Sequence, residues 1–136
     1  MKYKYLEHTA DIKFQAFGKT VEEMFKNSAL AMFNSMYEGK VKKTIKKSIQ
    51  VKGKDFEALL YNFLEELLFL MDSEDFFLSS IKNLKINQEK KTLKTEIFGD
   101  KAENYKIHID VKAITYNSMF VKKIKNKWIA QAVLDV

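Results

Sequence analysis

The spacing of apolar positions along this chain changes several times, and each change marks an element. Residues 3–6 and 12–17 read as short strands, the second alternating through Ile12, Phe14 and Ala16. After Gly18 the period lengthens, with Val21, Phe25, Ala29, Met32 and Met36 recurring at helical spacing. Thr20, with Glu23 three places on, predicts a capping box in which each side chain takes up an otherwise orphaned backbone N–H, and Gly39 is the expected stop. Over 41–53 the period returns to two around Ile45, Ile49 and Val51, with five lysines between positions 42 and 52, which predicts one strand with a solvated lysine face. Asp55 is expected to cap a second helix over about 56–72 that is apolar around most of its circumference, and so lies at the centre of the fold. Strands follow at about 76–87, 92–98, 106–116, 118–124 and 128–134, with "NQEKK" and "KNK" short enough to close hairpins.

Two helices among about seven strands, mostly joined by tight turns, make the fold class α+β. The expectation is a single compact domain over 1–136, its two main helices packed on largely antiparallel β-sheet. There is no internal repeat, linker or low-complexity segment.

Composition narrows the functional classes. With 46% hydrophobic and 31% charged residues, the chain suits a soluble globular protein. The longest apolar run, "FEALLYNFLEELLFLM", carries Glu57, Asn62, Glu65 and Glu66, so it is a core helix and no membrane contact is expected. A start without a charged-then-apolar signal pattern makes the cytoplasm the expected compartment. Cysteine is absent, which removes disulfides, thiolate metal sites and cysteine nucleophiles. A net charge of +6 implies weak attraction to phosphate-rich or acidic partners.

Each candidate chemistry has a plainer competitor. "KVKKTIKKSIQVKGK" suits RNA phosphate, yet it lacks arginine and interleaved aromatics, and a solvated edge strand is the better account. Neither histidine has zinc-ligand spacing. In "KIHIDVKAITY", Ile107, Ile109, Val111 and Ala113 share one strand face, leaving His108, Asp110 and Lys112 on a polar one. No glycine-rich phosphate loop exists, and no nucleophile has an adjacent activating group, so an enzyme is not expected; a metal-dependent hydrolase is the enzymatic rival. Two carboxylates remain: Asp11 of "HTAD" at a strand start, and Asp135 of "AQAVLDV", next to the α-carboxylate of Val136. If strands 12–17 and 128–134 are neighbours, Asp11 and Asp135 converge with main-chain carbonyls into an all-oxygen site suited to Ca²⁺, Mg²⁺ or Mn²⁺. Spacing alone favours the simpler alternative, with Asp11 capping a turn and Asp135 pairing with a lysine.

The same segments carry a family likeness. "YLEHTADIKFQAFGKTVEEMFKNSALAMF", "LLYNFLEELLFLMDSE" and "VKAITYNSMFVKK…KWIAQAVLDV" resemble the archease family, in order and over nearly the whole chain. The resemblance implies a small α+β domain acting as a non-enzymatic protein cofactor of an RtcB-type RNA ligase in tRNA splicing or RNA repair. It would promote guanylylation of the ligase by GTP with Mn²⁺, and so repeated turnover. It further implies a divalent-metal site at Asp11 and Asp135, completed by a Val136 oxygen, a functional lysine at Lys112, and a partner-facing role for His8. RNA contact would then be weak or indirect. The alternative is a small basic RNA-binding module with no ligase-activating role. One departure stands out: this chain has "TYN", with Asn117, where the family commonly has "TYH", and an amide cannot shuttle a proton as a histidine can.

Overall fold

A computed structural model of the protein describes residues 1–7 and 11–136. Its elements are β1 (Tyr3–Leu6), β2 (Ile12–Gly18), α1 (Val21–Met36), β3 (Ile45–Lys52), α2 (Phe56–Glu74), β4 (Phe76–Asn87), β5 (Thr92–Lys101), β6 (Ala113–Ile124) and β7 (Lys127–Asp135), with a single 3₁₀ turn over Ala102–Asn104. The class is α+β, and every strand pairing is antiparallel. The strands divide into a four-stranded sheet ordered β1-β2-β7-β6 and a three-stranded sheet ordered β3-β5-β4. Both helices lie between them: α1 touches β1, β2 and β7 on one side and β4 on the other, while α2 touches β6 on one side and β3, β4 and β5 on the other. That placement explains why α2 is apolar over so much of its surface. Phe14, Phe25, Phe33, Phe63, Phe76 and Phe77 are buried in this shared interior. Among the described residues no helix is long and apolar enough to cross a membrane.

Both helices are capped at the expected residues, although Glu23 reaches back to Lys19 where a strict capping box would take the Thr20 N–H. Thr20 Oγ1 accepts from the Glu23 N–H at 3.1 Å, and Glu23 Oε1 accepts from the Lys19 N–H at 3.2 Å. Asp55 Oδ1 accepts from the Ala58 N–H at 2.7 Å. The far ends differ from expectation. Helix α1 stops at Met36, three residues before Gly39, where Tyr37 turns to extended backbone and its ring packs edge-on against Phe77 and Tyr105. Helix α2 runs on to Glu74 and ends at Asp75, in the left-handed region at φ 56°.

Three strand readings are corrected. Residues 106–112 are irregular, and β6 begins at Ala113, because the ladder with β7 starts at the Ala113–Asp135 pair and earlier residues face no strand. Within this stretch the Lys112 N–H still reaches β7, while the His108 N–H donates to the Met36 carbonyl at 3.0 Å. The strands expected at 106–116 and 118–124 are one strand interrupted by a bulge between Thr115 and Phe120, where Ser118 adopts φ 58°. Likewise β3 starts at Ile45 and not at 41, since side chains hold 41–44: the Lys42 N–H donates to the Tyr105 hydroxyl at 2.8 Å, and Ser79 Oγ donates to the Val41 carbonyl at 2.6 Å.

Asp100 is the anchor for these irregular stretches. It is 5% exposed and accepts from Thr44 Oγ1 at 2.6 Å and from the Tyr105 hydroxyl at 2.7 Å. Those hydrogen bonds to the ionised form hold its carboxyl well below the usual carboxylate range. A depressed folded-state value contributes stability that is complete above about pH 4, where an unfolded aspartate ionises, and is lost as pH falls below it. Urea denaturation of the wild type is therefore expected to show stability falling below about pH 4, and Asp100→Asn is expected to lack that part of the slope.

Gly99 is set where β5 meets both neighbours, and a Cβ there would lie 2.1 Å from the Phe77 carbonyl oxygen. Backbone cannot yield as a flexible side chain does. Gly99→Ala is expected to destabilise the fold by about 1–3 kcal/mol in the same assay, as overpacking does.

Candidate functional site

The four-stranded sheet brings distant segments to one corner. Strand β2 pairs with β7 from Ile12↔Leu134 to Gly18↔Trp128. One step past the Ile12–Leu134 couple, Asp11 leads into β2 and Asp135 closes β7, so the two carboxylate-bearing residues flank neighbouring strands at the same end. On the other side of β7, Asp135 pairs with Ala113, and the Lys112 N–H donates to the Asp135 carbonyl at 2.8 Å. Asp11, Lys112, Asp135 and Val136 therefore lie at one corner, through two ladders and one further main-chain bond. Lys112 and Asp135 are exposed, Asp11 is half-buried, and Val136 packs part of its side chain on the core. His8 falls outside the described residues.

The surroundings add negative potential. A cleft of about 270 Å³ is lined by Asp11 and Lys13 together with Tyr5, Ser35, Glu38 and Ile109. Ser35 belongs to the last turn of α1, so the carbonyl end of that helix borders the corner. The last turns of both helices carry no basic residue, which leaves the negative ends of their dipoles uncompensated locally. At the end of α2, burial and the nearby Asp110 charge push the Asp72 carboxyl up from its ordinary value. Tyr5 is 43% exposed, yet partial desolvation of its hydroxyl, which donates to the Ala31 carbonyl at 2.9 Å, together with Tyr3 and Glu38, raises its phenol above the usual range. Sequence reasoning missed Glu38 and Asp72 and read Asp110 only as part of a polar face, since no spacing rule links them to Asp11.

The donor chemistry at this corner is oxygen-rich and hard, as a Ca²⁺, Mg²⁺ or Mn²⁺ ion requires. Among the described residues no three His, Asp or Glu side chains group as metal ligands. Asp11 and Asp135 thus offer two carboxylates, with Val136 as an adjoining source of oxygen.

The other singled-out residues have separate settings. His108 is exposed as expected, though on an irregular segment and not on a strand face. Asn117 sits exposed in the β6 bulge, its N–H donating to Thr115 Oγ1 at 3.2 Å. Beside it, Tyr116 is 55% exposed and stacks on Tyr61 with ring centroids 4.3 Å apart. The single solvated lysine face expected on β3 is not formed, because Lys46 and Lys47 point to opposite sides of the strand: Lys46 pairs with Glu96, while Lys47, on the face of Ile45 and Ile49, pairs with Glu74 at the end of α2. Such pairs contribute little to stability.

This geometry has counterparts among known proteins. A model of the archease protein family (MTH1598/TM1083) matches residues 3–136. The protein archease of Methanosarcina mazei is 38% identical, with 99% of this chain and 96% of that one covered. The protein archease of Pyrococcus furiosus is 39% identical, with 99% of both covered. The solution structure of Methanobacterium thermoautotrophicum protein 1598 matches with a TM-score of 0.83 at 30% identity, covering 99% of each chain. A crystal structure of an archease, possible chaperone, from Thermotoga maritima shares the fold at a TM-score of 0.66 and 20% identity, covering 98% of this chain and 96% of that one. With the family pattern spanning its whole described fold, this chain belongs to the archease protein family.

Proposed function

We propose that this protein is a non-catalytic activator of an RtcB-type RNA ligase, docking its Asp11/Asp135 corner beside the ligase's nucleotide pocket and promoting guanylylation from GTP. The observation that carries the proposal is the β2–β7 register, which supports two acidic residues and Lys112 acting together although they are far apart in sequence. In guanylylation a ligase nitrogen bonds to the α-phosphorus of GTP while the bond to the bridging oxygen breaks and pyrophosphate leaves. Such transfer depends chiefly on positioning and on offsetting charge at the phosphate oxygens.

Asp11 and Asp135, with a Val136 oxygen, would hold the divalent ion, which when bound supplies positive charge for phosphate oxygens. Asp135 has its carbonyl fixed by the Lys112 N–H, which leaves its carboxylate directed by a restrained backbone. Lys112 has its ammonium on an exposed side chain, where it would meet phosphate as a point charge. That residue's contact with Asp135 is made by its main chain and does not need the ammonium.

Two outcomes test the proposal. Asp11→Ala and Asp135→Ala are each expected to abolish stimulation of ligase guanylylation over several turnovers while melting cooperatively; stimulation at the wild-type level by both would remove the site. Lys112→Ala is expected to change stability by less than about 0.5 kcal/mol in urea, as exposed substitutions do, and yet to reduce stimulation.

A further inference from the structure

The four-stranded sheet has two faces, and the helices use only one. Phe14, Ala16, Ala130, Ala132 and Leu134 are fully buried on that side, and Tyr5 reaches α1 from it. Alternation puts Lys4, Gln15, Phe17, Lys127 and Ile129 on the opposite face, with Phe120 and Lys122 beside them on β6. The face is covered toward its Asp135 end, where Val133 is fully buried and Gln131 nearly so, and it opens toward the β6–β7 hairpin, where Lys122, Ile124 and Lys127 are exposed.

That face is basic and aromatic together. Lys4 Nζ and Lys127 Nζ stand over the Phe17 ring at 5.9 and 4.4 Å from its centroid. Lys122 Nζ stands 4.4 Å from the Phe120 centroid. None of these three lysines is in an ion pair among the described residues, whose pairs use Lys46 and Lys47. The only carboxylate on the strand positions of this face is Asp135, at its far margin. Between the rings lie two amides, Gln15 Nε2 donating to Gln131 Oε1 at 3.0 Å.

We propose that this open face binds a single polynucleotide strand, with phosphates on Lys4, Lys122 and Lys127 and bases stacked over Phe17 and Phe120. Phe17 is 8% exposed and has two ammonium groups over its ring. An ammonium already seated over a ring needs only side-chain rotation to meet a phosphate, and the uncovered ring then takes a base in its place. A duplex keeps its base faces stacked internally and cannot use the rings. An anionic membrane fits less well, since Ile124 is the one large apolar side chain more than half exposed on these strand positions. Neither contact involves a 2′-hydroxyl, so RNA and DNA strands should bind alike. The inference stands whether or not the ligase reading does.

Fluorescence anisotropy with a labelled ten-nucleotide single-stranded RNA, over a salt series, tests it. The log–log salt slope is expected near about −2, the value for three phosphate contacts on a single strand. In the double variant Lys4→Gln/Lys127→Gln it is expected to fall to about −0.7. Phe120→Leu is expected to weaken binding at least about five-fold with the slope unchanged. The control Lys85→Gln/Lys94→Gln, on the other sheet, should change neither quantity, and thermal melts verify folding of every variant. An unchanged slope in the lysine double variant, unchanged affinity in Phe120→Leu, a blunt duplex binding as tightly as the single strand, or binding only to phosphatidylserine vesicles would each overturn the proposal.

Discussion

The pairing of β2 with β7 is the constraint on which the rest depends. It joins residues near the two ends of the described chain, so its loop-closure entropy must be recovered by what the ladder buries. The recovery comes from Phe14 and Ala16 on one strand and Ala130, Ala132 and Leu134 on the other, all fully buried against the helices. The small alanines let α1 lie close to the sheet. A slip of one residue would turn Phe14 outward and Gln15 into the core, so the register is held firmly. From that register follow both the corner where Asp11 meets Asp135 and the arrangement of the outward face.

The molecule is electrically polar along β7. At one end lie the carbonyl termini of both helices, with Glu38, Asp72, Asp110 and Asp135 near them and no lysine or arginine in either last turn. At the other lie Lys123, Lys125 and Lys127 around a hairpin turn, and the capped N-termini of both helices. Negative potential at the first end and positive potential at the second follow from this division. The excess of six positive charges is therefore misleading as an average, because it conceals an acidic corner.

Much of this was legible in the sequence, because helices and strands bury one face and period reports that directly. The Thr20 box and the Asp55 cap were legible for the same local reason. What failed was non-local. Ile107 and Val111 alternate as a strand should, but no strand lies opposite them, and Ile109 is exposed. Tyr37 leaves its helix for aromatic partners on β4 and beyond β5, which no local rule at Gly39 foretells. The Asp11–Asp135 corner was legible only as a condition, since a strand's own pattern does not name its neighbour. The basic aromatic face was not legible at all: the eye goes to the contiguous lysines of 41–54, while Lys4, Lys122 and Lys127 assemble from three separate strands.

The order of elements has a consequence for biogenesis. Strand β7 follows every other described element, so about 110 residues separate the end of β2 from its central partner. At ribosomal rates that interval lasts roughly 5–20 s, during which the β1–β2 hairpin carries an unpaired inner edge and an unsheltered Phe14. The three-stranded sheet, whose strands are consecutive in the chain, can close in that time. Lys13 and Gln15 on the waiting strand are poor templates for stray pairing, and they guard the nascent edge until β7 arrives.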